Sequence, residues 1–220
     1  MVSTRATKCR VVILISGQGS NMQAMVQAAR SEQLPVDICA VISNRPQAAG
    51  LVWATAQGIP THIVNHQDYS SRDAFDAQLL AEIDRYQPDY VLLAGFMRVL
   101  TSGFVEHYLG RLINIHPSLL PLFPGLHTHQ QAIDSGMACH GCTVHFVTPE
   151  VDAGPIIAQG VLPIYANDSV SDLAKRLLPL EHRVYTEVFR WLVTRQVRLT
   201  AQQQVVLAQD QSRVFFSSAS

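Results

Sequence analysis

The sequence predicts an α/β domain, a mostly parallel central sheet with helices on both faces. Two observations lead there. Short apolar runs alternate with amphipathic stretches along most of the chain, the rhythm of strands joined by crossover helices. Of the 220 residues, 48% are hydrophobic, enough to bury one full core, and a chain of this length is most simply one domain.

Taken in order, strands are expected at residues 10–15, 36–43, 62–64, 90–93 and 111–115. After the first of these, Met22, Met25, Val26 and Ala29 recur at helical spacing, and Phe75, Leu79, Ile83 and Tyr86 do so later. Both stripes read as core-facing. From residue 115 the rhythm changes, because Pro117, Pro121, Pro124 and Gly125 punctuate a stretch too irregular for a strand or helix. Long loops inside compact domains are commonly functional. A short helix is expected around residues 128–136, then strands at 142–146 and 156–161 flanking a loop at 147–155, then a long helix from Ser169 to Thr194. After Arg195, two apolar patches, Val205–Leu207 and Val214–Phe216, either add edge strands or stay loose. The organisation is therefore an N-terminal extension (1–9), one domain (10–195) and a C-terminal tail (196–220), without internal repeats.

A formal net charge of -1, from 16 basic and 17 acidic residues spread along the chain, gives no polycationic face for nucleic acid and no basic anchor for a membrane. Small molecules are the expected partners. The polar start, followed by an apolar run of only residues 11–15, is too short for a signal core or a spanning helix, which predicts a cytoplasmic protein. Four cysteines do not imply a disulfide scaffold, and a reducing compartment leaves them as thiols. Cys139 and Cys142 have redox or zinc spacing, and His127 and His129 tempt as further ligands. One Cys pair is a weak signal, and a structural zinc site needs four soft ligands, so no metal is expected.

Three segments can carry chemistry. The first strand ends in Ser16-Gly17-Gln18-Gly19-Ser20-Asn21 and enters a helix, whose first N–H groups can receive an anion. Met22 stands where a dinucleotide fingerprint needs a third glycine, and no Gly-Lys-Ser/Thr follows for a Walker loop. What remains fits a single phosphomonoester, or merely a glycine turn linking strand to helix. In Leu112-Ile113-Asn114-Ile115-His116-Pro117, a carboxamide inside an apolar strand costs about 1–3 kcal/mol unless hydrogen-bonded, so Asn114 needs a partner. Residues two apart share a face, and Asn114 and His116 are expected to project together at the carboxyl end of a central strand, where open α/β sheets bind ligands. A lone strand-end His can equally be structural. Third, Gly154-Pro155 turns the chain and leaves Asp152 on a loop able to reach inward, or simply in a solvated turn.

At these segments together the chain resembles the glycinamide ribonucleotide formyltransferases, folate-dependent transformylases of purine synthesis. The likeness runs from about Arg10 to Trp191 and includes residues 13–21, 93–98, 112–121, 124–129, His145-Phe146-Val147-Thr148 and 152–155. It implies a Rossmann-like formyltransferase fold, with 10-formyltetrahydrofolate as co-substrate and glycinamide ribonucleotide as acceptor. Asn114, His116 and Asp152 match the family's catalytic trio; Gly19, Ser20 and Asn21 match its phosphate loop; Glu181 matches a residue that holds the ribonucleotide. Arg72, Met97, Arg98, Val99 and Leu100 resemble the folate side, together with Asn114 and Asp152, and Thr148, Glu150 and Val151 part of its pterin pocket. Leu122 departs from the pattern where a basic residue is found, and Pro179 is expected to interrupt the final helix just before Glu181.

Other members of this fold are a formyltetrahydrofolate hydrolase and the formyltransferases acting on methionyl-tRNA or an amino sugar. The hydrolase calls for an N-terminal sensing domain and the tRNA enzyme for a C-terminal RNA-binding domain, and the first strand begins near residue 10 with fewer than thirty residues after the last helix. A phosphate-type loop also suits a phosphorylated acceptor better than water. From a different class, a non-catalytic phosphosugar-binding module stays open.

Overall fold

In the computed structural model, residues 8–217 are described; of the 1–9 extension, residues 1–7 lie outside them. The elements run β1 (Cys9–Ile15), α1 (Ser20–Ser31), β2 (Val36–Ser43), α2 (Ala49–Ala56), β3 (Thr61–Ile63), α3 (Arg72–Asp84), β4 (Tyr90–Leu93), α4 (Ser102–His107), β5 (Leu112–His116) and α5 (Thr128–Asp134). There follow β6 (Cys139–Phe146), β7 (Ile156–Pro163), α6 (Val170–Val193), β8 (Val197–Leu199), β9 (Val205–Leu207) and β10 (Val214–Phe216). Eight strands form one sheet in the order β10-β7-β6-β5-β4-β1-β2-β3, parallel except that β6 runs against both β5 and β7.

Strand alternation sorts the core into two layers. Val11, Ile13 and Ile15 face α1, α2 and α6, whereas Val12 and Leu14 face α3 and α4. The first layer extends across β5, β6 and β7 under the long helix α6. The second stops at Leu112 of β5, and no residue of β6 or β7 belongs to it. Part of one sheet face is therefore left without a helix above it, and the candidate site occupies that part.

The helices follow from local rules. Ser71 caps α3 by accepting from the Ala74 N–H at 3.1 Å, and α6 opens on a capping box between Ser169 and Asp172. Contrary to the sequence expectation, α6 runs unbroken through Pro179. That residue lies on the exposed side of the helix, while Leu173, Leu177, Leu180, Val184 and Val188 keep one buried stripe. The missing N–H is tolerated because packing of that stripe holds the turn.

Differences from the expected elements concern strand boundaries and the tail. β6 begins at Cys139, three residues before the strand expected from Cys142, and β3 is one residue earlier than its apolar pattern. In the tail, β10 joins the main sheet beside β7, whereas β9 pairs with β8 in a separate hairpin. No helix among the described residues is long and apolar enough to cross a membrane.

Tyr185 ties α6 to two strands, its buried hydroxyl lying 3.1 Å from the Leu93 carbonyl and 3.2 Å from that of Ile113. Tyr185→Phe removes this donor at constant shape, and we expect it to cost about 1 kcal/mol in urea unfolding. An unchanged midpoint would show that the hydroxyl holds neither strand.

Candidate functional site

Within β5, Asn114 and His116 point toward the uncovered part of the sheet face, while Ile113 and Ile115 enter the opposite layer. Antiparallel β6 sets His145 directly opposite Asn114, and Thr143 opposite His116. His145 is 1% exposed, and its Nδ1 lies 3.0 Å from the Phe146 carbonyl oxygen, so Nδ1 carries the proton. Nε2 is then left to accept from the Asn114 carboxamide nitrogen, 3.3 Å away. Burial pushes the His145 imidazole below its ordinary range, opposed by the Phe146 carbonyl and by Asp152. The neutral ring thus supplies the partner that the half-buried Asn114 requires.

His116 lies 6% exposed at the carboxyl end of β5. Its Nε2 is 3.0 Å from the Phe123 carbonyl oxygen and its Nδ1 is 3.4 Å from Asp152 Oδ2. The ring thus sits between a backbone carbonyl on its Nε2 side and a carboxylate oxygen on its Nδ1 side. The two side chains are 7% and 10% exposed, so water screens their attraction little. The other Asp152 oxygen is 3.8 Å from His145 Nε2, closing a cluster of one carboxamide, two imidazoles and one carboxylate.

The reversed direction of β6 explains how Asp152 gets there. β6 ends at Phe146, beside Ile113 near the amino end of β5, so the following loop must climb back over the sheet face. Gly154 makes the return possible: a Cβ there would stand 1.8 Å from the Phe146 carbonyl oxygen. Asp152 adopts a left-handed backbone (φ 54°), and its carboxylate accepts from the Gly125 N–H at 2.9 Å. The proline-punctuated stretch is fastened in turn by Thr143, whose hydroxyl accepts from Leu120 N–H at 3.0 Å and donates to the Ser118 carbonyl at 2.7 Å.

The glycine turn after β1 lies two strands away. Leu14, Leu93, Asn114 and His145 form one register row, which puts the end of β1 about 10 Å from Asn114. Gly19 caps α1 with a left-handed backbone (φ 67°) and no side-chain hydrogen bond, so the first N–H groups of a 12-residue helix point into the turn. Asn21 is 7% exposed; its amide donates to Glu181 Oε2 at 3.2 Å, and its buried Oδ1 has no donor among the described residues. Burial raises the Glu181 carboxyl above its ordinary range, which the Asn21 hydrogen bond partly offsets. Despite Pro179, Glu181 keeps its helical register toward this turn.

Between turn and cluster runs the segment after β4. Met97 and Val99 are 67% and 53% exposed, Phe96 is buried, and the Arg98 guanidinium stacks 4.8 Å from the Phe75 ring centre. Leu100 and Thr148 are half-buried, whereas Val151, Glu150 and Arg72 are exposed; Arg72 and Glu150 make no side-chain hydrogen bond to the cluster among the described residues. Leu122 is exposed on the loop beside His116.

Other motif residues fall elsewhere. Cys139 and Cys142 both lie in β6, three residues apart and hence on opposite faces, and both are free thiols. His129 Nδ1 is 2.9 Å from His140 Nε2, and His127 is exposed. A cavity of about 400 Å³ lined by Tyr90, Gly110, Phe146 and Arg198 sits at the amino end of β4, and none of the cluster residues lines it. His145 is the site residue that sequence reasoning left without a role. Its signal was a His two residues after Thr143 in an otherwise apolar run, but its partner emerges only from the β5–β6 register.

Residues 9–189 match the formyl transferase family. Phosphoribosylglycinamide formyltransferase of Escherichia coli (strain K12) is 48% identical over 189 residues, covering 86% of this chain and 89% of that protein. Among solved structures, phosphoribosylglycinamide formyltransferase from Coxiella burnetii superposes with a TM-score of 0.87 at 43% identity, over 94% of this chain and 99% of that one. A formyltetrahydrofolate deformylase from Pseudomonas syringae has a TM-score of 0.84 at 30% identity, over 92% of this chain but 66% of its own.

The burial of His140 predicts an acid-sensitive fold. Burial, then the neighbouring His129 and His116, push His140 down to about 4 from an ordinary 6.5. Below 6.5 the unfolded chain therefore binds more protons than the folded one, and stability falls as pH drops from 6.5 to 4, by about 3 kcal/mol in all. Urea unfolding of wild type and His140→Gln across that range checks this. Parallel pH profiles for the two would remove His140 as the cause.

Proposed function

The chain belongs to the formyl transferase family, and from that premise we propose that it transfers the formyl group of 10-formyltetrahydrofolate to the amine of 5'-phosphoribosylglycinamide. The products are formylglycinamide ribonucleotide and tetrahydrofolate, a step of de novo purine (IMP) biosynthesis. One observation carries the reading: Asn114, His116 and Asp152 converge, with His145, on the open part of a sheet face whose edge also bears a glycine turn fit for a phosphomonoester.

Formyl transfer requires an amine to attack the formyl carbon, an oxyanion to be held, and the departing folate nitrogen to receive a proton. Asn114 donates to that oxyanion through the amide N–H not given to His145, and His116 donates by turning its Nε2–H from the Phe123 carbonyl to it; such donors are worth about 2.7–4 kcal/mol each in comparable acyl-transfer sites. The Asp152 carboxylate keeps His116 oriented and takes the proton that the attacking amine loses, passing it toward the leaving nitrogen. No covalent bond to the protein is needed. His145 acts through Asn114, presenting an acceptor that fixes which end of the carboxamide faces the formyl oxygen.

At the acceptor end, Gly19, Ser20 and Asn21 offer N–H and side-chain donors to a phosphate. The donorless Oδ1 of Asn21 and the carboxyl of Glu181 suit the hydroxyls and amine further along the same molecule. Segment 97–100, with Arg72, Thr148, Glu150 and Val151, is read as the folate face; the apolar side chains of Met97 and Val99 stand outward, as stacking against a flat heterocycle demands. We read residues 10–195 as the catalytic unit and 196–220 as a tail, which the family match over 9–189 supports. The cytoplasm is the compartment that suits this chemistry and the four unpaired cysteines.

Steady-state formyl transfer tests the assignment. His116→Ala and Asp152→Asn are each expected to lower kcat/KM by at least about a hundredfold. Near wild-type turnover in either would overturn the residue roles. Tetrahydrofolate formation should also depend on added glycinamide ribonucleotide; an equal rate without it would make the chain a hydrolase, as in the deformylase it resembles in fold.

A further inference from the structure

Ser16, the last residue before the glycine turn, has a role that its position in the chain conceals. Its backbone N–H donates to the Gly95 carbonyl at 3.1 Å. Its hydroxyl accepts from the Met97 N–H at 2.7 Å and lies 2.6 Å from Asn44 Oδ1. A hydroxyl has one proton, and an N–H can only donate, so the direction of each bond is determined: Met97 gives to Ser16, and Ser16 gives to Asn44. Asn44 is anchored in its turn. The His66 N–H and its ring Nδ1 lie 3.3 and 2.8 Å from the Asn44 carbonyl oxygen. Ser16 and Asn44 are 5% and 1% exposed, so water offers no ready replacement for either bond.

These bonds act on a segment with little else to hold its height above the sheet. Gly95 turns it with a left-handed backbone (φ 76°), Phe96 plunges into the core, and Met97 and Val99 stand out of it. The Met97 N–H is the point between the buried and the exposed side chains. Fixing it sets how far the two apolar side chains project. The same serine is covalently joined to the turn that begins at Gly17, yet its hydroxyl bonds Met97 and Asn44 and no residue of that turn.

We infer that Ser16 is a positioning residue whose hydroxyl sets the donor-binding face at Met97–Leu100, separately from the acceptor-binding turn that follows it in sequence. This rests on the reading of residues 97–100 as the folate face. Ser16→Ala removes both side-chain bonds, Ser16→Cys keeps the volume without a strong acceptor, and Ser16→Thr keeps the hydroxyl.

Two measurements on the full chain test it. In hydrogen exchange without ligands, the peptide covering residues 95–100 should exchange at least tenfold faster in the Ala and Cys variants and at the wild-type rate in the Thr variant. In formyl transfer, KM for 10-formyltetrahydrofolate should rise at least tenfold in Ala and Cys while KM for glycinamide ribonucleotide stays within twofold, and Thr should restore the folate KM to within threefold. Equal rises in both KM values would mark a general loosening of the fold and overturn the inference. So would unchanged exchange, an unchanged folate KM, or failure of Thr to restore either reading. A wild-type chain that transfers no formyl group would instead sink the proposed function, and is recognised without any variant; the exchange rates then still decide whether Ser16 pins Met97.

Discussion

Polar groups inside an apolar sheet need partners of their own, and most of this molecule's candidate chemistry can be traced to how that need is met on one strand. His116 is buried and Asn114 half-buried on the strand that carries them. The antiparallel approach of β6 supplies His145 to the first, and the loop after β6 supplies Asp152 to the second. Each member of the cluster satisfies another, which is why it can persist where an isolated carboxylate or carboxamide would be costly. On the cluster's face of β6 the neighbours are loops and not a helix, through the bonds of Leu120 to Thr143 and of Gly125 to Asp152.

The sheet divides labour between its faces. α1 and α6 pack on one face and bring Asn21 and Glu181 together beside the glycine turn. The cluster lies on the other face. In the proposed reaction, an acceptor held by its phosphate at the turn extends over the carboxyl edge of β4 to reach the cluster, along the segment that Ser16 fastens. The hydroxyl of Tyr185 reinforces the same edge from below, through the carbonyls of Leu93 and Ile113.

How much of this could be read from the residues alone depends on whether the determinant is local. The strands at residues 36–43 and 90–93 have the bounds their apolar runs predict, because a strand buried on both faces has a continuous signature. The shared orientation of Asn114 and His116 follows from their spacing of two. His145 was not assignable in the same way, because its role depends on which residue of a neighbouring strand it opposes, and register between strands 31 residues apart leaves no trace in composition. β8 escaped because three residues give too little pattern to count. Pro179 misled for the opposite reason: its local rule is strong, yet a 24-residue helix with a full buried stripe overrides it. Ser16 looked like the preface to a glycine motif, and only the fold reveals the two bonds of its hydroxyl.

The single antiparallel strand also bears on how this scaffold can diverge. Because β6 runs backward, the residue that supplies the acid arrives on a return path measured by the stretch between Phe146 and Ile156, doubled back against the Phe146 carbonyl at a position with no room for a side chain. That stretch contributes little to the two apolar layers. A one-residue deletion there would touch few residues of either layer yet shift the carboxylate from His116, so in the proposed reaction loop length, and not the core, governs where this group stands.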